Sequence, residues 1–425
     1  MSHSSNYLSL WLNILMEDYQ LHTLPNGIRI VHKQVTYTKV VHCGFMLNIG
    51  SRDEPAHLQG IAHFWEHMAF KGTTKRKAFH ILNRLDVVGG ELNAYTTKEK
   101  ITFHASVLDA HFEKAVELLT DITFDSVFPA KQIIKERQVI LEEMAMYRDA
   151  PEDAIQDEFD EVVFGDHPMG VNILGREETI SKFKKEDFQQ FIQSNLNTDE
   201  IVFASVGNIP MKKVIQMANK YFDQIPRLTV ERNRRSIDSY LPQRQQKKRS
   251  ISQSLCIMGR PAYPTTDTRK LPFFLLTNLL GGPGMNSRLN LSLREKHGLV
   301  YAIDSSYASY SDTGLFAISF GTEPKKMKRS ISLVEKELSK IKHTTLGVKQ
   351  LHTSKEQVIG QLAMSEENNG SLMLAMAKSI LDKGYVESLT DIFDRINLVD
   401  AKQIQEVAND IFMEDMFSYL TYIPD

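Results

Sequence analysis

His63-Phe64-Trp65-Glu66-His67 is the stretch that decides how the rest of the chain is read. Two histidines four residues apart share one face of a helix, one turn above each other. Glu66 follows His63 by three positions and adjoins His67, so its carboxylate reaches the same patch. Phe64 and Trp65 project elsewhere and can pack. Neutral imidazoles at this spacing let a helix offer two ligands to Zn²⁺, and a neighbouring carboxylate is the base that a zinc-bound water needs. The order H-x-x-E-H reverses H-E-x-x-H, which occurs nowhere in the chain. A single histidine on an apolar helix is more often a satisfied core residue. Two histidines with a glutamate on one face are harder to satisfy that way, because packing them together unpaired is costly. The stretch calls for a cation and a third ligand.

A helix expected over about Ala130 to Arg148 supplies that ligand. Ile133, Glu136, Ile140, Glu143 and Tyr147 recur at spacings of three and four and so share a face. Carboxylates interleaved with apolar residues need a partner, and a cation is the natural one. Glu142 is rotated by about 100° and points away. An ordinary charged helix edge is the competing reading of Glu136 and Glu143, and the motif helix weighs against it.

The 425 residues are 42% hydrophobic and 24% charged with a net charge of −3, an ordinary soluble composition with length for two or three domains. Nothing in it suggests a nucleic-acid or membrane-surface protein. Cys43 and Cys256 sit in apolar, strand-like segments and read as core residues of a reduced compartment, not as a disulfide framework. No apolar run reaches the length of a membrane span. The short apolar run Tyr7 to Leu15 lacks a positive n-region, a cleavage site and the Arg-rich look of a presequence, so the expected location is cytoplasmic. Residues 1–15 read as an N-terminal extension, either a loose arm or sequence upstream of a start at Met16.

The rest of the chain reads as α+β, two repeated domains, each a mostly antiparallel sheet covered by helices. The first domain spans 16–227. It opens with a hairpin turning at Pro25-Asn26-Gly27 and carries strands at Glu91 to Thr96 and Lys100 to Val107. The polar, basic stretch 228–250 reads as an exposed linker. The second domain, 251–425, repeats the element order, with helices at Lys270 to Leu280 and Ser287 to Lys296 and strands at Val300 to Ser309 and Gly314 to Gly321. Gln138-Val139-Ile140 matches Gln357-Val358-Ile359, and in that register Glu143 corresponds to Leu362 and Glu136 to Lys355. The helix equivalent to the motif helix, around Pro272 to Leu275, has no histidines. The second copy keeps the scaffold without the polar cluster, so the scaffold does not need that cluster.

With His63, Glu66, His67 and Glu143 identified, the chain resembles the pitrilysin-type inverzincin zinc metallopeptidases. The likeness is to the half-length branch that includes mitochondrial processing peptidase and related bacterial zinc peptidases. Glu143 stands 76 positions after His67, the family's spacing. Gly50-Ser51-Arg52-Asp53-Glu54, Phe70-Lys71-Gly72-Thr73, Asn93-Ala94-Tyr95-Thr96, Ser287-Arg288-Leu289 and Leu293 to Tyr301 are family-like too, and the likeness runs from about residue 17 to the end.

The resemblance implies a zinc metalloendopeptidase with one Zn²⁺ per chain held by His63, His67 and Glu143. Glu66 acts as the base for the zinc-bound water, and Glu136 orients a ligand histidine from behind. Asn93, Ala94, Tyr95 and Thr96 form the edge strand to which an extended peptide adds. Arg294 and Tyr301 grip the substrate and stabilise the oxyanion. A helix-end charge and a strand-packing tyrosine are the plainer readings of that pair. Full-length relatives join two such halves as a clamshell, which implies a homodimer here, or a heterodimer with a paralogue, enclosing short or unfolded peptides. The alternative class is a non-catalytic scaffold subunit of the same fold, which the intact ligand set argues against.

Overall fold

A strand that is apolar at every position has to be covered on both faces, whereas one that alternates has a wet side. Ile201–Gly207, apolar but for Ser205, is buried at every residue, and the first sheet is built around it. The computed structural model describes residues 19–232, 234–237, 239–413 and 415–425; the expected N-terminal extension 1–15 lies outside the described residues. In chain order the first half runs β1 (Tyr19–Thr23), β2 (Arg29–Gln34), β3 (Val40–Leu47), α1 (Ile61–Ala69), α2 (Ala78–Asp86), β4 (Glu91–Thr96) and β5 (Ile101–Leu108). It continues with α3 (Phe112–Phe124), α4 (Ala130–Arg148), α5 (Pro151–Phe164), α6 (Glu177–Ile180), α7 (Lys185–Asn195), β6 (Ile201–Gly207) and α8 (Met211–Tyr221). The strands make one sheet in the order β1-β2-β6-β3-β5-β4, antiparallel except for β2 beside β6.

The second half runs β7 (Arg244–Arg249), β8 (Ser254–Ala262), α9 (Lys270–Gly281), a π-helical segment Asn290–Lys296, β9 (Val300–Ser309) and β10 (Gly314–Thr322). It closes with α10 (Met327–His343), α11 (Val348–Glu366), α12 (Asn369–Lys383), α13 (Leu389–Leu398), α14 (Ala401–Ile411) and β11 (Ser418–Pro424). Its sheet is ordered β7-β11-β8-β10-β9, antiparallel except for β7 beside β11. Strand for strand this repeats the first sheet without β1, so the fold is α+β in two copies, and β4 and β9 are the equivalent open edges.

The two halves exchange a helix. The inner face of the first sheet packs Phe45, Phe203 and Ile201 against α1, α3 and α7. Its other face, Val31, Met46, Val202, Ala204 and Val206, is covered by Leu372, Met373, Met376 and Ile380 of α12, which comes from the second half. Reciprocally, Ile155, Phe159 and Val162 of α5 cover Leu255, Ile257, Leu420 and Tyr422 on the second sheet. The continuous burial of β6 follows from this: its odd and even residues face different cores.

Of the described residues of 228–250 none is buried, and those before 244 form no helix or strand. Arg232 and Arg234 keep only 9% and 13% of their side chains exposed and pair with Asp53 and Glu200 of the first half. Residues 244–249 are β7, whose alternating Arg244, Gln246 and Lys248 face water at a sheet edge. The expected helix Ser287 to Lys296 is present but winds as a π-helix over Asn290–Lys296. No helix of the described residues is long and apolar enough to cross a membrane.

Candidate metal centre

Helix α1 is held at its N-terminal end and from behind. Gly60 precedes it at φ +93, a left-handed conformation that favours glycine, and a Cβ there would come within 2.7 Å of the Leu174 carbonyl oxygen. The buried Glu54 carboxyl accepts the Gly60 N–H at 2.7 Å and the Ala62 N–H at 2.8 Å, so its oxygens satisfy two free N–H groups at the start of the helix. Burial pushes the Glu54 carboxyl up to about 8, against the pull of those two N–H groups and Lys98. On the apolar side Phe64, Trp65 and Met68 are fully buried; Phe64 meets Phe188 edge-on at 5.2 Å, and Trp65 lies between Phe103 and Phe191. With that face fixed in the core, His63, Glu66 and His67 are turned toward α4.

On α4, Ile133, Glu136 and Ile140 are buried, Glu143 is half-buried and Glu142 is exposed, the face expected from the spacing. His63 Nε2 stands 3.8 Å from Glu143 Oε1, and His67 Nε2 stands 3.5 Å from Glu143 Oε2. One ligand atom from each of the three residues lies within 4.8 Å of the other two. His67 Nδ1 donates to Glu136 Oε1 at 2.9 Å, and Lys71 Nζ holds Glu136 Oε2 at 2.7 Å. Burial raises the Glu136 carboxyl, but the bonds from His67 and Lys71 outweigh it and leave it below its ordinary range. An ionised Glu136 keeps the His67 proton on Nδ1 and leaves Nε2 as a lone pair facing Glu143.

Burial, with a smaller contribution from His67, pushes the His63 imidazole down to about 3, so that ring is neutral. Its Nδ1 is buried with no hydrogen-bond partner among the described residues, and Nε2 faces Glu143. Two imidazole nitrogens and a carboxylate oxygen thus face one small space. Such a set repels itself unless a cation enters, and its chemistry is that of a two-histidine, one-glutamate zinc site with a fourth position open. The residues fit Zn²⁺.

Glu66 is bound differently from its neighbours. Its Oε2 accepts a hydrogen bond from Thr96 Oγ1 at 2.7 Å, and Thr96 is the last residue of β4. Burial raises the Glu66 carboxyl, Thr96 and His67 lower it, and the net shift is upward. Among the described residues β4 pairs only with β5, with Asn93 opposite His104 and Tyr95 opposite Thr102, so no described strand lies on its other edge. That open edge begins beside Glu66.

Arg294 and Tyr301 belong to the second half. The Arg294 guanidinium lies 5.7 Å from the Tyr301 ring centre, and Tyr301 is 83% exposed on β9. The chain brings this pair to each other, but among the described residues no hydrogen bond or ion pair joins it to His63, His67 or Glu143. A 640 Å³ cavity between Asp149–Asp153 and Ser250–Leu255 is lined by none of these residues. The sequence reading gave no role to Lys71 or Glu54. Lys71 carries a signal, four residues after His67 and just past the end of the helix. Glu54 carries none, since its partners are backbone groups.

Comparison with known proteins places this geometry in a family. Residues 29–177 match the model for insulinase (peptidase family M16), and residues 182–358 match the model for the peptidase M16 inactive domain. An uncharacterized zinc protease of Bacillus subtilis, YmxG, is 32% identical over 394 residues, covering 93% of this chain and 96% of that protein. An uncharacterized zinc protease of Rickettsia felis is 32% identical over 398 residues, covering 94% and 96%. Among solved structures, a protease from Helicobacter pylori superposes with a TM-score of 0.87 at 21% identity, covering 96% of this chain and 99% of that one. A peptidase M16 inactive domain from Pseudomonas fluorescens gives 0.89 at 17% identity, covering 96% and 99%. The chain belongs to the pitrilysin-type peptidase family M16, the family of these zinc proteases, as a member of half length.

Proposed function

We propose that the chain is a zinc metalloendopeptidase that hydrolyses short or unfolded peptides held in extended form. The observation that carries this is the convergence of His63, His67 and Glu143 next to a Glu66 that is bonded to the end of an open edge strand. His63, His67 and Glu143 would hold one Zn²⁺ per chain. When bound, zinc supplies a Lewis acid that polarises a carbonyl and acidifies water.

The chain's own residues do the rest. Backbone groups of Asn93 to Thr96 on β4 pair with an extended peptide and bring its scissile bond to the Glu66 end of the strand. Thr96 engages one oxygen of Glu66, which leaves the other free to take a proton from the attacking water and return it to the leaving amine. Glu136, anchored by Lys71, keeps His67 in the tautomer that presents Nε2. Arg294 and Tyr301 stabilise the developing oxyanion. Because no hydrogen bond or ion pair among the described residues joins them to the metal residues of their own chain, the reading brings them from a second copy in a clamshell homodimer, or from a paralogue.

Dialysis against a strong chelator should abolish cleavage of an unstructured peptide library, and restoring about one Zn²⁺ per chain should bring it back. Cleavage that survives verified metal removal would overturn the proposal.

A further inference from the structure

The turn that closes β4 and β5, Thr97-Lys98-Glu99-Lys100, carries three consecutive charged residues that are only 6%, 5% and 7% exposed. A hairpin turn is ordinarily a surface feature, and Lys and Glu are almost never this buried unless paired. Here each charge has its own partner, and each partner belongs to a different element. Lys98 Nζ lies 2.9 Å from Asp160 of α5, the helix that covers the second sheet, and donates to the Val171 carbonyl at 2.6 Å. Glu99 accepts from Arg52 at 2.7 Å, and from the Ser311 hydroxyl and N–H at 2.6 and 3.0 Å. Arg52 in turn grips both oxygens of Asp312, at 2.6 and 2.5 Å. Ser311 and Asp312 form the turn between β9 and β10. Lys100 Nζ lies 2.6 Å from Asp382 of α12, the helix that the second half lends to the first sheet.

The backbone is held as well. Ser51 and Arg52 donate to the carbonyls of Thr97 and Lys98 at 3.1 and 2.8 Å. Gly50 lies so close to the turn that a Cβ on it would stand 2.4 Å from the Lys98 oxygen. Buried ion pairs add little net stability over apolar packing, but they fix geometry, since each is satisfied in one arrangement only.

We propose that Lys98, Glu99 and Lys100 are positioning residues for peptide binding: they set the place of the edge strand β4 and tie it to both exchanged helices and to the β9–β10 turn. The inference rests on the reading that an extended peptide adds to β4. It makes substrate grip depend on how the second half is seated, although none of these side chains touches a metal ligand.

The test uses the zinc-loaded full chain. Lys100→Met with Asp382→Asn, and Lys98→Met with Asp160→Asn, remove both members of a pair and leave no buried charge unpaired. Both double variants should keep wild-type zinc content, raise KM for an unstructured peptide about tenfold and change kcat far less, the mark of lost binding rather than lost chemistry. Lys100→Arg should retain the wild-type KM. Asp312→Asn, at a side chain 31% exposed and so tolerant of change, should raise KM in the same direction even where a double variant fails to fold. In a Glu66→Gln background, added peptide should slow hydrogen exchange of the Leu92–Thr96 amides in the unmodified turn and less so in the variants. Folded, zinc-loaded variants with wild-type KM overturn the proposal. If peptide gives no protection of β4 even with the turn intact, the docking reading itself fails, which is a separate result.

Discussion

At the scale of single residues, helical spacing makes His63, Glu66 and His67 readable as one face and sets Glu143 beside Glu136 on another, and the family resemblance singles out Glu143 as the third ligand. His63, Glu66 and His67 sit within one turn, and Glu143 shares its face with Ile140 and Glu136. What supports them was not readable. Arg52 meets Asp312 across 260 residues of sequence, and Thr96 meets Glu66 across 30, and no local pattern encodes such pairs. Glu54 illustrates the cost of such support. Its carboxyl, pushed up to about 8 by burial, is held against the N-terminus of α1. An acid whose folded pKa exceeds its unfolded one favours the fold most below the unfolded value and loses that contribution as pH rises to the folded one. Wild type should therefore lose stability relative to Glu54→Gln between pH about 4.5 and about 8, by up to about 1.4 kcal/mol per unit. Urea unfolding across that range measures it; a constant difference would place the carboxyl in its ordinary range.

At the scale of elements, most strands and helices follow from apolar periodicity, and the equal length of α4 and α11, 19 residues each, reflects the repeat. The sequence misled where composition resembled a loop. Arg244–Arg249 is polar enough to read as linker, yet it is a sheet edge, where charged side chains discourage pairing with other chains. Nor does a sequence show which sheet a helix covers. The apolar stripe of α12 is plain, but its partner sheet is the distant one, because the local sheet's outer face is taken by α5. Met376 of α12, 1% exposed, tests this exchange. Met376→Ala should cost about 2–5 kcal/mol by denaturant titration. It should speed hydrogen exchange in β2 and β6 of the first sheet. Acceleration confined to the second sheet would contradict the packing.

At the scale of the whole molecule, the exchanged helices and the buried turn 97–100 make the two halves one interlocked body. Among the described residues no hydrogen bond or ion pair joins the candidate metal site to the Arg294–Tyr301 pair. On the clamshell reading a complete site needs two chains. A Glu66→Gln chain mixed with an Arg294→Ala chain, each inactive alone, should then recover about a quarter of the wild-type rate once subunits exchange at random, since half of the dimers carry one intact site of two. No recovery despite verified exchange would count against a shared site.

The central claim is that His63, His67 and Glu143 hold the metal while Glu66 moves the proton. It is tested most directly by measuring zinc content and peptide turnover together in Glu66→Gln. The account predicts about one Zn²⁺ per chain, as in wild type, with turnover reduced by at least about 10²-fold. Wild-type turnover in the zinc-loaded variant would contradict it.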